Sequence, residues 1–551
     1  MRKIQTNPLV VSAWDSEARL LLWLATCVSI FSFLFYFKHN EILLYGDAIA
    51  HINIARRVFD SKTPGLLQLG TVWLPLPHLV MIPFLVSKGL WQRGAGGSIP
   101  SMMAYVMAVV GIFRLVRGIF SPGEEPDGTA RIAAWSAAAC FAANPNLIYM
   151  QSTAMGESLY LAFFVWAVVY FSEWERGSDA ALWKCGLCLA AACLCRYDGW
   201  FLACALCLWV VLRALLLRNR PGKTRNSARA IVTFILIAAA APALWLAYNG
   251  IVYRNPLEFA NGPYSAKAIE KRTQTPGNPG HPGSNNPVLA EQYFVKSAEA
   301  NVAQNEWLQR GWIVLLAAGI GVFAFRRDRV AAPARPAFGL LFLLIPLPFY
   351  ALSVAYGGVP IFIPYWWPFT HYNVRYGLQL LPAFAIAIGI LVQLSMRSGI
   401  SNRLRVASLM SLFAFVAASY AGIWNATPLS LKEAQVNMRT RNQLQTQVSA
   451  LLSELPSNAT LLMYLGDHVG ALEQAGIPLE HTINEGNHRM WKQPTDQDGL
   501  WERALADPPK YVDYAVAFEG DPVWQAVHGK LPELVELHVS GQPRAVLYRA
   551  R

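Results

Sequence analysis

The sequence predicts an α-helical multi-pass membrane bundle of about eleven spanning helices, followed by a soluble α/β domain at the carboxy terminus. Three observations carry this expectation. The 551 residues are 54% hydrophobic and only 15% charged, with 19 Trp and a mean hydropathy of +0.30, a balance that soluble domains seldom show. Repeated apolar stretches reach the ~20 residues needed to cross hydrocarbon. After Trp424 the hydropathy drops and short strand-like runs begin.

Taken in order, the apolar stretches lie near 18–38, 101–120, 132–150, 158–174, 181–196, 199–216, 230–249, 311–326, 337–356, 377–395 and 404–424. The first is long and lacks a small-residue cleavage site, so it reads as a retained helix rather than a cleaved signal. A further run, His78 to Trp91, is short and carries Pro83. Its status decides which side each loop faces. With a cytoplasmic amino terminus and 78–91 not crossing, every basic cluster falls on the inner side, as the positive-inside rule requires. These clusters are Arg114, Arg117 and Arg131; Arg176 and Lys184; Arg213, Arg218, Arg220, Lys223, Arg225 and Arg229; Arg326, Arg327, Arg329 and Arg335; and Arg397, Arg403 and Arg405. The run 78–91 is therefore expected to be interfacial or re-entrant.

The net charge of +12 is explained by those loops and not by nucleic-acid binding, because residues 426–551 hold 11 Lys/Arg against 15 Asp/Glu. The eight cysteines all lie in apolar segments. Cys185 and Cys188 have a metal-like spacing but no partner histidine nearby, so core packing is the expectation, without a disulfide framework.

Domain 1–425 is expected to form the membrane part, with a first outer loop at 39–100 and a lid-like outer loop at 250–309. The latter contains the turn-rich "TQTPGNPGHPGSNNP" before a helix-like run. Residues 426–551 are expected to form the outer α/β domain. It would have a helix near 430–455 and strands in "ATLLMYL", "YVDYAVAFE", "LVELHVS" and "RAVLYRA".

This topology puts four polar motifs on one outer face. "YGDAIAH" places Asp47 and His51 one turn apart on a helix, with Arg56, Arg57 and Asp60 beyond. A carboxylate at the mouth of a membrane bundle is costly and often functional; Asp47 could equally cap its helix. "PGLLQLGTVWLPLPH" offers Gln68, Trp73 and His78, where the tryptophan is either an interface anchor or a sugar-stacking surface. Glu157 in "AMGESLY" opens a helix, where its charge also suits the dipole. "LCRYDGW" joins Arg196 to Asp198, as a site or as a structural ion pair. "THYNVRYGLQLLP" has His371, Arg375 and Tyr376, and a cation at a helix start calls for an anionic partner. No Walker loop, nucleotide-binding glycine motif or zinc-protease signature is present. Asp47, His51 and Glu157 are the candidate ligands of a divalent metal.

In order and placement these motifs resemble the GT-C superfamily of membrane glycosyltransferases, which includes protein O-mannosyltransferases, oligosaccharyltransferases and aminoarabinose transferase. The resemblance covers roughly 18–395. Asp47 matches the acid of the first outer loop, and "MGESL" with Glu157 matches the second acidic motif, with Gly where Thr is common. "LCRYDGW" is similar to the family's "TRYEGW" run, and "NVRYGLQLLP" to its "RY…P" segment. The resemblance implies a GT-C fold in the plasma (inner) membrane, with the site and the carboxy-terminal domain on the extracytoplasmic side. It implies transfer of a hexose or pentose from a polyprenyl-phosphate or polyprenyl-diphosphate donor to an acceptor hydroxyl, with inversion. The acceptor would be a glycan, a lipid or a protein, without nucleic acid. Asp47 would be the base, Glu157 a second catalytic acid that orients a substrate or a metal, and Arg375 a ligand of the donor phosphate. Arg196, Arg57 and Tyr376 join Arg375 as expected phosphate-binding residues, and His51, Gln68, Trp73, His78 and His371 as substrate-binding residues. No paired-acid motif of metal-dependent oligosaccharyltransferases and no "WWD" motif is found, which counts against peptide N-glycosylation. The rival readings are a transporter or flippase of lipid-linked sugars and a polymerase or ligase of preassembled glycans.

Overall fold

The computed structural model describes residues 15–120, 127–216, 225–273, 280–325, 338–487 and 499–551. The expected basic residues Arg218, Arg220, Lys223, Arg326, Arg327, Arg329 and Arg335 lie outside these, as does part of the turn-rich run after Thr273.

The amino-terminal three-quarters is helical. It begins with α1 (Ser16–Lys38), α2 (Gly46–Arg57), α3 (Leu76–Leu85), α4 (Lys88–Gln92), α5 (Ala95–Phe120), α6 (Gly128–Ala142) and α7 (Pro145–Gln151). Next come α8 (Glu157–Glu175), α9 (Asp179–Cys195), α10 (Asp198–Leu216), α11 (Arg225–Val252), α12 (Glu258–Asn261), α13 (Ala266–Thr273), α14 (Pro287–Val302) and α15 (Glu306–Phe325). The series closes with α16 (Pro346–Gly357), α17 (Leu381–Arg397) and α18 (Asn402–Ala426), and α19 (Leu429–Ser453) leads into the last domain.

Among the described residues, eight helical segments are long and apolar enough to cross a membrane. They include α1, α5, α10, α11, α15 and α18, together with the 338–357 and 374–397 segments. The three other expected stretches are helical but less suited to crossing alone. Residues 132–150 are split where Asn144 caps α7 through the Leu147 N–H, with Pro145 at its first position. The α9 helix has 17 residues, and α8 carries Glu157, Glu173 and Glu175. The run 78–91 forms α3 and α4, of ten and five residues, far short of the ~20 required.

The bundle is built around α5, α8 and α17, whose faces are buried nearly all round. Helices α1, α11 and α18 surround them and turn apolar side chains outward, among them Trp23, Phe31, Leu236 and Met410. Such a rim is unfavourable in water and is satisfied by hydrocarbon, so the chain is a multi-pass membrane protein. The cysteines are all unpaired, and Cys185 is buried in the bundle.

The last domain carries a five-stranded sheet in the order β2-β1-β3-β5-β4. The strands are β1 (Leu461–Met463), β2 (Thr482–Ile483), β3 (Tyr514–Phe518), β4 (Glu533–Leu537) and β5 (Ala545–Arg549). β1 runs parallel to β2 and β3, whereas β5 pairs antiparallel with β3 and β4. The two-residue β2 was not legible as a strand in the sequence, and "VWQAVHG" mostly forms a short helix, Pro522–Val527.

Polar struts lock this domain to the segment between α1 and α5. Asn53 Nδ2 donates to Glu473 Oε2 at 2.5 Å, and Asp60 Oδ1 accepts the Glu480 N–H at 2.9 Å. Gln68 Nε2 donates to the Gly486 carbonyl at 2.8 Å, and Asn487 Nδ2 reaches the hydroxyls of Ser61 and Thr63.

Candidate functional site

Helix α2 starts at Gly46 after an extended Tyr45. No side chain caps it, so Asp47 is not its cap. Asp47 lies in the first turn, where a carboxylate interacts favourably with the helix dipole. The Tyr45 hydroxyl donates to the Ser430 carbonyl at 2.8 Å, which ties this start to α19.

Arg375 comes from a 3-10 helix, Val374–Leu380, entered through Asn373 in the left-handed region at φ 56°. Helix α14 braces it from behind: Ser297 Oγ and Asn301 Nδ2 each donate to the Val374 carbonyl at 2.7 Å. Gly377 lies so close to the Ser297 backbone that a methyl group there would overlap it. The helix-like half of the 250–309 segment is thus a buried support for the Arg375 turn.

Arg375 is buried and all three of its nitrogens face carboxylates. Nη2 donates to Asp47 Oδ2 at 2.7 Å, Nε to Glu157 Oε1 at 3.0 Å and Nη1 to Glu433 Oε1 at 2.7 Å. The Asp47 side chain is 42% exposed, whereas those of Glu157 and Glu433 are each 1% exposed. The arginine is therefore gripped from the interior, and its outer partner is open. The rings of Tyr45 and Tyr376 flank the guanidinium at 4.9 and 5.1 Å.

Arg196 shares Glu157 at 3.2 Å, pairs with Asp198 at 3.2 Å and donates to the Tyr350 hydroxyl at 2.9 Å. Tyr350 in turn donates to Asp198 Oδ2 at 3.2 Å, and the Tyr376 ring lies 4.6 Å from Arg196. The ion pair read in "LCRYDGW" is present, and Glu157 joins it to the Asp47 cluster.

The other expected residues are placed around this core. His51 Nδ1 and His78 Nε2 share a 2.8 Å hydrogen bond, and Trp73 packs over His51 at 4.8 Å. Burial holds both imidazoles below their usual range, so both are neutral at neutral pH. Arg57 is half-buried. Burial lowers its proton affinity, and the charge of Glu485 opposes that effect. Its Nε is buried without a hydrogen-bond partner among the described residues. Gln68 Nε2 donates to the carbonyls of Thr63 and Gly486. His371 sits at the edge, where its carbonyl accepts from Asn437 Nδ2 at 3.1 Å.

Two guanidiniums, Arg375 and Arg196, thus face four carboxylates, Asp47, Glu157, Asp198 and Glu433. The expected metal set does not converge. Asp47 and Glu157 meet on Arg375, His51 is held by His78, and no group of three metal-ligating side chains is found among the described residues.

Sequence reasoning missed Glu433 and Tyr350. Glu433 lies in "LSLKEAQVNM", where Leu431, Glu433, Ala434 and Met438 are all buried. A lone acid among the buried positions of an amphipathic helix was the available signal.

No protein-family model matches the chain, and no curated protein matches its sequence. Solved structures do match. ArnT from Cupriavidus metallidurans bound to undecaprenyl phosphate aligns with a TM-score of 0.56 at 14% identity, over 97% of this chain and 98% of that one. The same protein in the apo state aligns with a TM-score of 0.52 at 15% identity, over 97% and 99%. The similarity to the Archaeoglobus fulgidus oligosaccharyltransferase AglB is lower, with a TM-score of 0.45 at 14% identity over 91% and 69%. The end-to-end match to ArnT shows that the chain shares the fold of that protein, the GT-C fold that the motif order leads one to expect.

Proposed function

We propose that this protein is an integral-membrane glycosyltransferase that moves a sugar from a polyprenyl-phosphate donor to an acceptor hydroxyl on the extracytoplasmic side, with inversion. The observation that carries this reading is the state of Asp47, an open carboxylate on an arginine that two buried acids hold in place. An acceptor hydroxyl would give its proton to Asp47 as its oxygen bonds to the anomeric carbon. The bond from that carbon to the phosphate oxygen breaks, and the phosphate leaves with the electron pair. Glu157 touches both arginines and would orient them. Arg57, a half-buried cation of the same segment, would be a further partner for the lipid phosphate. The donor class also has support in the undecaprenyl phosphate bound to the ArnT structure.

The test is sugar transfer by the purified protein from synthetic polyprenyl-phosphate sugars to membrane extract. Asp47→Asn is expected to lower transfer by about 10²–10⁴-fold without changing the melting temperature. Full activity in Asp47→Asn refutes the assignment of the base. Donor binding without transfer by the wild-type protein favours a transporter.

A further inference from the structure

Helix α19 reaches the site at two places. Near its start Glu433 holds Arg375, and eight residues on, about two turns, Arg441 lies over Gly46, the residue before Asp47. A methyl group on Gly46 would collide with Arg441 Nη1. Gly46 does not have a positive φ, so its missing side chain provides room for the guanidinium and no special backbone conformation.

The fold makes little use of this cation. Among the described residues Arg441 makes no hydrogen bond, and its ion contact is with Asp467 at 3.6 Å, a carboxylate 76% exposed. The arginine side chain is itself 30% exposed. A guanidinium has five donors in a planar fork suited to oxyanions. The arginines deeper in the site are differently placed. Arg375 has a carboxylate on each nitrogen, and Arg196 shares two acids and a phenol. An incoming phosphate would meet more negative than positive charge there, which repels it.

We propose that Arg441 binds a substrate oxyanion, a phosphoryl or carboxylate group, held beside Asp47. This rests on the glycosyltransferase reading and gives the carboxy-terminal part of the chain a direct share in substrate binding. Gly46 is then a specificity device, since it seats the guanidinium next to the base.

The experiment uses the purified full-length protein with undecaprenyl phosphate and uncharged undecaprenol as probes, and half-saturation by acceptor in membrane extract as a second readout. The variants are Arg441→Ala, Arg441→Lys and Gly46→Ala. Arg439→Ala removes an exposed cation from the same helix as a control. Arg441→Ala and Gly46→Ala are expected to weaken undecaprenyl phosphate binding about tenfold to a hundredfold, the range for a charge-assisted hydrogen bond. Undecaprenol binding stays the same, Arg441→Lys is intermediate, and Arg439→Ala matches wild type. If lipid-phosphate binding holds but acceptor half-saturation rises by that factor, the oxyanion belongs to the acceptor, and the assignment of Arg441 stands. If neither moves, the inference is overturned. A wild-type protein that neither transfers sugar nor prefers the phosphate overturns the glycosyltransferase reading instead. Gly46→Ala changes no charge and evicts only the end of a flexible side chain, so the test holds even if Arg441→Ala fails to fold.

Discussion

Arg375 and Asp47 lie 328 positions apart in the chain and meet at 2.7 Å. The acid is partly exposed, and the arginine is held from the interior by Glu157 and Glu433. Under the proposed function, this asymmetry would let a substrate displace Asp47 from its partner without dismantling the rest of the cluster.

Arg375→Ala is expected to act first on stability. It leaves Glu157 and Glu433 buried without their shared cation, and breaking a buried pair in this way costs about 3–5 kcal/mol. Arg375→Lys keeps the charge but loses the three-way fork, so it should fold and lose activity. Melting temperatures beside transfer rates separate the two. An Arg375→Ala protein as stable as wild type would show that the carboxylates are not held by this arginine.

Much of this arrangement was legible in the sequence. The motifs around Asp47, Glu157, Arg196 and Arg375 were each visible as polar residues at the ends of apolar helices, and loop charge placed them on one face. The structure joins all four through ion pairs. The sequence could not show that Arg375 is saturated, because its third acid, Glu433, arrives from a helix outside the membrane pattern. Gln68 shows the converse. It stands in a motif-like run, yet its amide is used to dock the carboxy-terminal domain. Periodicity and position reveal which side chains reach a surface, and only packing decides which of them meet.

Glu433 is expected to be graded by substitution. Glu433→Gln retains an oxygen that can accept from Arg375 or from the Asn373 N–H, which Glu433 now holds at 2.7 and 2.9 Å. Glu433→Ala retains neither and leaves both donors short of a partner. The melting temperature should therefore fall in the order wild type, Gln, Ala, with transfer falling in the same order. An alanine variant at least as stable as the glutamine variant would show that Glu433 does not hold the turn.

The histidine pair makes stability sensitive to acid. Burial depresses the proton affinity of His51 and His78, so the contribution from their neutral state is complete above the ordinary histidine range near 6.5. It is lost as pH falls through the lower folded values, because the unfolded chain then binds more protons. His78→Gln removes one of the two titrating rings, and its loss of melting temperature between pH 7 and pH 5 should be smaller than that of wild type. Equal losses would remove the pair as a cause.

Glu473 should act with the opposite sign. It is buried where the carboxy-terminal domain meets α2, Asn53 donates to one of its oxygens, and its Oε1 has no hydrogen-bond partner among the described residues. Burial pushes its carboxyl up to about 8, with the Asn53 hydrogen bond opposing. Below about 4.5 the acid is protonated folded or unfolded, so the site carries no penalty. Between about 4.5 and 8 the folded state holds a proton that the unfolded chain has lost, and stability falls as pH rises. The shift corresponds to about 5 kcal/mol at the top of that window. Glu473→Gln can keep the bond from Asn53 and removes the titration. It should melt above wild type at pH 8 and approach it at pH 5. The difference between the two proteins isolates this effect from the histidine pair, which is common to both. A constant difference across that range would show that Glu473 does not titrate at the junction.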